Sequence, residues 1–281
     1  MKFENTKVTN FDGAFRGMRN PKKSWRLSDS FFGLVDTETT EADYMVAERW
    51  VQKDYPNYPI DDNLEAERLY EKTDGWLLAN GILERDENNS IANCAFIGPN
   101  DMHLAQTLIK AGPEHRKFLR QIFVSVDITA PLYWWKEFDT YKVGTVANST
   151  STMHKLASTP ITMDCFELGD FCPKLSMGEE DGFINDYTEK FIHFLETLRL
   201  KYLETKDKKY WKELIRWLPE SWLQTRTVTM NYENLLGMCS CGQRRFHKLT
   251  EWSNDFISWA RTLPYAQNLI FIDETIADAS C

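Results

Sequence analysis

The chain has 281 residues, of which 42% are apolar and 27% are charged, the ordinary balance of a globular protein with a hydrophobic core. Its net charge of −9 argues against a dedicated duplex-DNA-binding protein, because such binding depends on a basic face that neutralises phosphates. No apolar run reaches the ~18 residues of a membrane-spanning helix, and the N-terminus has no signal-peptide pattern. We therefore expect a cytoplasmic protein without membrane or duplex nucleic acid partners.

The first hundred residues contain four predicted elements. Residues 2–9 are predicted to form a strand, and the glycine- and arginine-containing segment 13–21 is predicted to form a turn. Residues 41–53 and 63–78 have the apolar period of amphipathic helices. We therefore expect residues 36–97 to be a helical elaboration ahead of the main fold.

The middle of the chain predicts a helix, a strand and a second helix. The first helix covers residues 102–111 and ends at Gly112-Pro113. Apolar and polar residues alternate over 120–130, as in a half-buried strand. Pro131 opens the next helix, 132–138, because its missing N–H has no partner in a first turn.

A hydroxyl-rich stretch follows at residues 143–152. Such a segment is buried only when its polar groups find hydrogen-bond partners. It is therefore either a solvated surface loop or the lining of a polar pocket, and the sequence alone leaves both open.

The second half of the chain is mostly helical. The pattern predicts helices over 183–203, 209–218, 231–238 and 249–263, and a threonine-rich strand over 222–230. In that strand, alternation places Arg226 on the face of Gln224 and Val228. No repeat or linker is visible, so we predict a single domain, 1–281.

Common catalytic and phosphate-binding motifs are absent from the sequence. Cys239-Ser240-Cys241 is the one tempting metal motif, with His247 as a further candidate. Structural zinc needs four ligands, usually in two close pairs. We therefore predict no metal site and expect ordinary thiols.

Three segments together resemble the flavin-dependent thymidylate synthases. His115 precedes a strand that ends in Ala130-Pro131, and later come Leu218-Pro219, Asn231 and Glu251. In that family a His likewise precedes an Ala-Pro strand end, and a Leu-Pro precedes a strand, an Asn and a helix. The resemblance covers about residues 98–262. It implies an α+β fold with a twisted, mainly antiparallel sheet flanked by helices.

One departure from the family pattern concerns charge. Where the family has Arg-His-Arg, this chain has Asp139-Thr140-Tyr141, followed by Lys142. The family arginines hold phosphates by charge-assisted bonds, and an Asp is expected to repel them. Ser149 matches the Ser of the family signature, and Ser151 matches it if the loop carries an insertion.

The resemblance implies a set of ligand-binding residues. The implied cofactor-binding residues are His115, Lys142 and Asn148; the implied substrate-binding residues are Ser149, Ser151, Arg226, Arg244 and Arg245. Each has a simpler alternative: His115 as a helix-end residue, Arg244-Arg245 as a basic surface pair, and Arg226 pointing to water. No catalytic residue is assigned.

The resemblance also implies a reaction. A protein of this family binds FAD and dUMP and makes dTMP with methylenetetrahydrofolate as methyl donor and NADPH as reductant, usually as a homotetramer. The alternative is a catalytically inactive descendant that binds a nucleotide or a protein, because the departures fall on the site rather than on the fold.

Overall fold

A computed structural model describes residues 1–33, 83–85, 91–168 and 179–276. The helices predicted at 41–53 and 63–78 lie outside these residues. The chain divides into two compact units. The first unit contains residues 1–6, 126–142 and 146–228, and the second contains residues 7–125, 143–145 and 229–281. The single domain stays a prediction.

The strands form two sheets. They are β1 (Lys2–Thr9), β2 (Phe31–Gly33), β3 (Leu83–Arg85), β4 (Ile91–Phe96), β5 (Phe123–Pro131), β6 (Val146–Ser149) and β7 (Leu223–Asn231). The four-stranded antiparallel sheet has the order β1-β5-β7-β6, and all four strands contribute residues to the first unit. The small antiparallel sheet β2-β4-β3 belongs to the second unit. The predicted α+β fold is confirmed.

The helices account for most of the remaining described chain. They are α1 (Phe11–Arg19), α2 (Pro99–Lys110), α3 (Leu132–Phe138), α4 (Thr152–Lys155), α5 (Glu179–Thr205), α6 (Lys208–Arg216), α7 (Tyr232–Met238), α8 (Cys241–Phe246), α9 (Ile257–Arg261), α10 (Ala266–Leu269) and α11 (Ile272–Ile276). A π-helix spans Glu251–Phe256, and short 3-10 turns span Asn20–Lys22, Trp25–Leu27, Lys117–Gln121 and Met163–Cys165. No helix within the described part of the chain is long and apolar enough to cross a membrane.

Strand β5 confirms the predicted alternation. Val124, Val126 and Ile128 are buried, while the residues between them are half-buried. The backbone then turns at Pro131, which is the N-cap of α3. The predicted strand and the helix after it are therefore both present.

The predicted turn at 13–21 is wrong, because most of this segment lies in helix α1. Phe11, Ala14, Phe15 and Met18 are buried at helical spacing, and this period outweighs the glycines. A Cβ at Gly17 would lie 2.7 Å from Gln121 Oε1, the far end of an exposed side chain that can shift, so the helix does not require glycine there.

Neither reading of the hydroxyl-rich segment describes its backbone. Residues 146–149 form the edge strand β6, exposed along its length, and Thr152 begins the short helix α4. Strand β7 is its neighbour in the sheet. The segment is ordered by backbone pairing rather than by burial of its side chains.

The first unit has its own apolar cluster beneath α5. Its buried members are Leu156, Ile161, Phe166, Ile192, Leu195 and Leu214. Arg199 donates to Glu196 at 2.6 and 2.7 Å and to the carbonyl of Ala157 at 3.1 Å. Glu196 also accepts the backbone N–H of Ile161 at 2.8 Å, so this ion pair fixes the chain before α5 to the helix.

A buried ion pair holds the beginning of the second unit. Arg19 and Asp101 are almost fully buried, and Arg19 Nε donates to the Asp101 carboxylate. The hydroxyls of Ser28 and Ser30 donate to the same carboxylate. Because a lone buried charge is costly, these bonds fix α1 and the segment after it against α2.

Gly144 lies against the start of α7 in the second unit. Asn231 and Asn234 form a reciprocal capping box there, and Asn234 Nδ2 donates to the carbonyl of Val143 at 2.6 Å. Gly144 has φ +84°, and a Cβ would lie 2.9 Å from Asn231 Nδ2. Both its conformation and its packing favour glycine.

We predict that Gly144→Ala lowers the free energy of unfolding by about 1–2 kcal/mol from backbone strain alone, with a further loss from the contact with Asn231. Urea denaturation at 25 °C measures this change. Gly112→Ala is the matched control, because Gly112 also has a positive φ of 106° but a Cβ there meets no described atom within 4 Å. Equal losses in the two variants would refute the packing role of Gly144.

Candidate functional site

One face of strand β7 carries a polar cluster in the first unit. Gln224 is buried and Arg226 is half-buried, and Trp135 of α3 is fully buried beside them. The Arg226 guanidinium lies 4.2 Å from the Trp135 ring centroid. Trp135 Nε1 donates to the backbone carbonyl of Gln224 at 3.0 Å. The predicted common face of Gln224 and Arg226 is therefore confirmed.

Two of the three guanidinium nitrogens of Arg226 have protein partners. Nε donates to Gln224 Oε1 at 3.0 Å, and Nη1 donates to Asp139 Oδ1 at 3.0 Å and Oδ2 at 3.3 Å. Nη2 donates to no residue in the described ranges. The side chain is only 16% exposed, so it is held in one orientation with one amino group available for a further acceptor.

Gln224 connects this arginine to the hydroxyl-rich segment. Its Nε2 donates to the carbonyl of Thr150 at 3.1 Å and to Thr152 Oγ1 at 3.3 Å. The backbone N–H of Thr150 donates to the carbonyl of Thr225 at 2.9 Å. The structure therefore brings Ser149 and Ser151, the neighbours of Thr150, beside the strand that carries Arg226.

The remaining predicted residues of the first unit are exposed. Asn148 and Ser149 lie on the edge strand β6, and Lys142 follows the turn after α3. No carboxylate lies within ion-pair distance of Lys142 among the described residues. These side chains supply an ammonium, an amide and hydroxyl donors on a surface that a ligand can reach.

Asp139 has a partner that the sequence does not reveal. It is the C-cap of α3 and accepts from Arg226, while the expectation that it repels phosphate stays a prediction. The pair makes this spot a donor beside an acceptor instead of a bare negative charge. The two residues are 87 positions apart, so no local pattern signals their contact.

The opposite face of the sheet carries a second polar row, which the sequence interpretation did not identify. Asp127 accepts from Thr227 Oγ1 at 2.5 Å and from Asn5 Nδ2 at 2.8 Å, and Thr129 and Thr225 share a hydrogen bond of 2.7 Å. The hydrogen bond from Thr227, and then that from Asn5, hold the pKa of Asp127 below its ordinary value. These bonds join β1, β5 and β7 across the sheet. The alternation of Asp127 and Thr129 in β5 was the available signal.

Arg244 is held within the second unit by its own side-chain contacts. Nη1 donates to the carbonyl of Cys239 at 2.6 Å, Nη2 donates to Asp273 at 2.8 Å, and Nε lies 3.1 Å from Glu274. The side chain is 10% exposed. Its donors therefore serve the packing of α8 on α11, while the neighbouring Arg245 is exposed beside the ring of Phe246.

His115 lies in the turn that follows α2 and is exposed. Its backbone N–H donates to the carbonyl of Gly112 at 3.0 Å, which closes the turn. The structure therefore places it at a helix end, as the simpler alternative required, and its side chain is accessible to a ligand.

The cysteines near α8 have different environments. Cys239 is fully buried, and its burial raises the pKa of the thiol well above the usual range. Cys241 is disulfide-bonded, so the expectation of ordinary thiols is wrong for that residue. Within the described part of the chain, no group of three or more His, Cys, Asp or Glu side chains could hold a metal ion.

We predict a pH-dependent contribution from Asp127. A carboxyl whose folded-state pKa is depressed stabilises the fold above its unfolded pKa, here 3.8, and this stabilisation is lost as the pH falls through the folded value. The difference in unfolding free energy between the parent chain and Asp127→Asn should therefore be largest above about pH 5 and should shrink below about pH 4.

Urea denaturation across this pH range measures the difference between the two proteins. Asp164→Asn is the control, because Asp164 is exposed in the same unit and accepts no side-chain hydrogen bond from the described residues. A constant difference for Asp127→Asn across the range would show that its hydrogen bonds do not stabilise the ionised carboxylate.

Comparison with known proteins bears on the fold. No protein-family model matches the sequence, and no curated protein matches it. The chain is similar to the crystal structure of Thymidylate Synthase X (ThyX) from Helicobacter pylori with FAD and dUMP, with 14% identity, coverage of 95% of both chains and a TM-score of 0.52. A second structure of flavin-dependent thymidylate synthase ThyX from Helicobacter pylori, complexed with FAD and dUMP, gives 13% identity, coverage of 86% of this chain and 96% of that chain, and a TM-score of 0.44. The first comparison shows that this chain has a fold like that of the flavin-dependent thymidylate synthases.

Proposed function

We propose that this protein binds FAD and a pyrimidine nucleotide and methylates dUMP to dTMP with methylenetetrahydrofolate. The fold supports the proposal, because a chain of similar fold has been solved with FAD and dUMP. Arg226 is the observation in this chain that carries it. A homotetramer in the cytoplasm, with NADPH as the reductant, is part of the same proposal.

Arg226 is held in a position from which Nη2 can donate to an oxygen of a ligand. A guanidinium is planar and always charged, and it forms directed bonds to phosphate or carbonyl oxygens. Stacking on Trp135 and bonds to Gln224 and Asp139 fix its plane. Little conformational entropy is then lost when Nη2 meets a ligand, which favours binding. We assign Arg226 to the nucleotide, with Ser149 and Ser151 beside it.

Two donors in and beside the hydroxyl-rich segment fit the cofactor by their chemistry. Lys142 and Asn148 are exposed, and an ammonium and an amide suit the pyrophosphate and ribose of FAD. His115, which lies in the second unit, stays a proposed flavin contact on the resemblance alone. When bound, the flavin supplies the redox chemistry of the reaction, while the residues of this chain bind and orient the ligands.

Two observations favour a second candidate, a nucleotide-binding descendant without catalysis. Asp139 offsets the charge of Arg226, and Arg244 is engaged by Asp273 and Glu274. Both arrangements reduce the positive charge available for a phosphate. Such a protein would bind a nucleotide at Arg226 without transferring a methyl group to it.

The first experiment measures bound flavin. After incubation with FAD and desalting, the purified protein should retain about one flavin per chain in its absorbance spectrum. Lys142→Met with Asn148→Ala should reduce this amount, because each charge-assisted bond contributes about 1.5–3 kcal/mol, and His115→Ala should reduce it as well. Lys208→Met is the control, since Lys208 is exposed on α6 of the same unit. A protein that retains no FAD would exclude the flavoenzyme.

The second experiment measures dUMP affinity by calorimetry and dTMP formation by a methylation assay. Arg226→Lys should weaken dUMP binding about tenfold, because it keeps the charge but loses the planar donors. Arg216→Lys should leave it unchanged, since Arg216 is exposed on α6 of the same unit and belongs to no proposed site. Loss of affinity together with methylation by the parent chain supports the enzyme. The same loss without methylation supports the descendant, and unchanged affinity would remove Arg226 from the site.

A further inference from the structure

The second half of α1 and the two 3-10 turns after it differ in charge from the rest of the chain. Residues 13–27 contain five basic residues and no acidic residue, in a chain of net charge −9. Arg19 is buried against Asp101 and has a structural role. The other four basic residues are exposed: Arg16, Lys22, Lys23 and Arg26.

The 3-10 turn Lys117–Gln121, which packs beside α1, adds one more cation, Arg120. Asn10 Nδ2 donates to the carbonyl of Gln121 at 2.8 Å, and the Gln121 side chain lies against Gly17. These contacts place this turn, which carries the exposed Arg120, against α1. We call the five exposed residues Arg16, Lys22, Lys23, Arg26 and Arg120 the basic surface.

The basic surface has no internal counter-charge in the described part of the chain. None of its five cations lies within ion-pair distance of a described carboxylate, whereas most other arginines in this unit do, including Arg116, Arg244 and Arg261. Its charges are therefore available to an anionic partner.

An aromatic ring is fixed within this basic surface. Trp25 is 40% exposed, and its Nε1 donates to Asn20 Oδ1 at 2.8 Å. The Arg16 guanidinium lies 5.3 Å from the ring centroid. The neighbouring Leu27 is 67% exposed. The indole is thus held in place by a hydrogen bond and a cation–π contact and still presents apolar area to solvent.

We propose that the basic surface and Trp25 bind single-stranded nucleic acid without sequence preference. Cations that follow a phosphate backbone and an aromatic ring that stacks on a base are the two elements of such binding. A single strand exposes the faces of its bases, whereas a duplex hides them inside the stack. An anionic membrane is disfavoured, because interfacial binding requires a broad apolar face and Trp25 and Leu27 supply a small one.

Fluorescence anisotropy with a labelled oligothymidylate of about 12 nucleotides tests this proposal on the full chain. Five phosphate contacts at a slope of about 0.7 each predict that affinity falls about 130-fold between about 50 and 200 mM salt. Binding that is independent of salt, tighter binding to a duplex of the same length, or no binding would overturn the proposal.

Variants locate the binding surface. Lys22→Glu with Lys23→Glu should weaken binding more than tenfold, and Trp25→Ala should weaken it about tenfold while Trp25→Phe retains most of the affinity. Lys208→Glu with Lys212→Glu is the control, because it makes the same change in net charge at exposed positions of the first unit. Circular dichroism verifies that each variant is folded.

Three further results would refute the proposal. The first is an equal loss of affinity in the two double variants, which would indicate a response to net charge alone. The second is full affinity of Trp25→Ala. The third is binding to vesicles that contain anionic lipid combined with no binding to the oligonucleotide, which would indicate a membrane surface. None of these results depends on FAD or dUMP, so the test is independent of the proposed enzyme activity.

Discussion

The arrangement of the first unit depends on the contact of Arg226 with Trp135. A guanidinium that is 16% exposed loses much of its hydration, and protein partners compensate for that loss, because an unpaired buried charge is costly. Asp139 and Gln224 satisfy two of its nitrogens, and Gln224 in turn holds Thr150 and Thr152. One stacked cation therefore fixes the end of α3, the strand β7 and the segment after β6. The same bonds that stabilise the unit orient the one nitrogen left for a ligand.

The sequence predicted elements where one side of the element is buried. In β5 and in α1 the buried side chains recur at the period of a strand and of a helix, at Val124, Val126 and Ile128 and at Phe11, Ala14 and Phe15. Gly13 and Gly17 predicted a turn in α1, although both lie within the helix that this buried period specifies. Strand β6 could not be predicted in this way, because it is exposed along its length and its order comes from pairing with β7.

The candidate site was less predictable than the fold, because its decisive contacts join distant residues. The resemblance placed the segments in their order, and alternation placed Arg226 beside Gln224. Neither could show that Asp139 accepts from Arg226 or that Arg244 is engaged by Asp273 and Glu274. A family motif specifies which residue types hold a ligand. The effect of a different residue at such a position depends on the group that it contacts, which the sequence does not show. Here Asp139 contacts Arg226, so its carboxylate accepts hydrogen bonds from a cation.

Net charge is an average that conceals these local differences. The value of −9 argues against binding of duplex DNA, because a duplex is bound through a wide basic surface that neutralises many phosphates. A single strand follows a narrow path and responds to the few cations along it, because counter-ions screen charges beyond about 10 Å. The five cations of the basic surface form no ion pair with any carboxylate of the described residues, while Arg226 of the first unit is paired with Asp139. The two places therefore favour different ligands: a nucleotide that fits a fixed arginine, and a polyanion that meets unpaired charge.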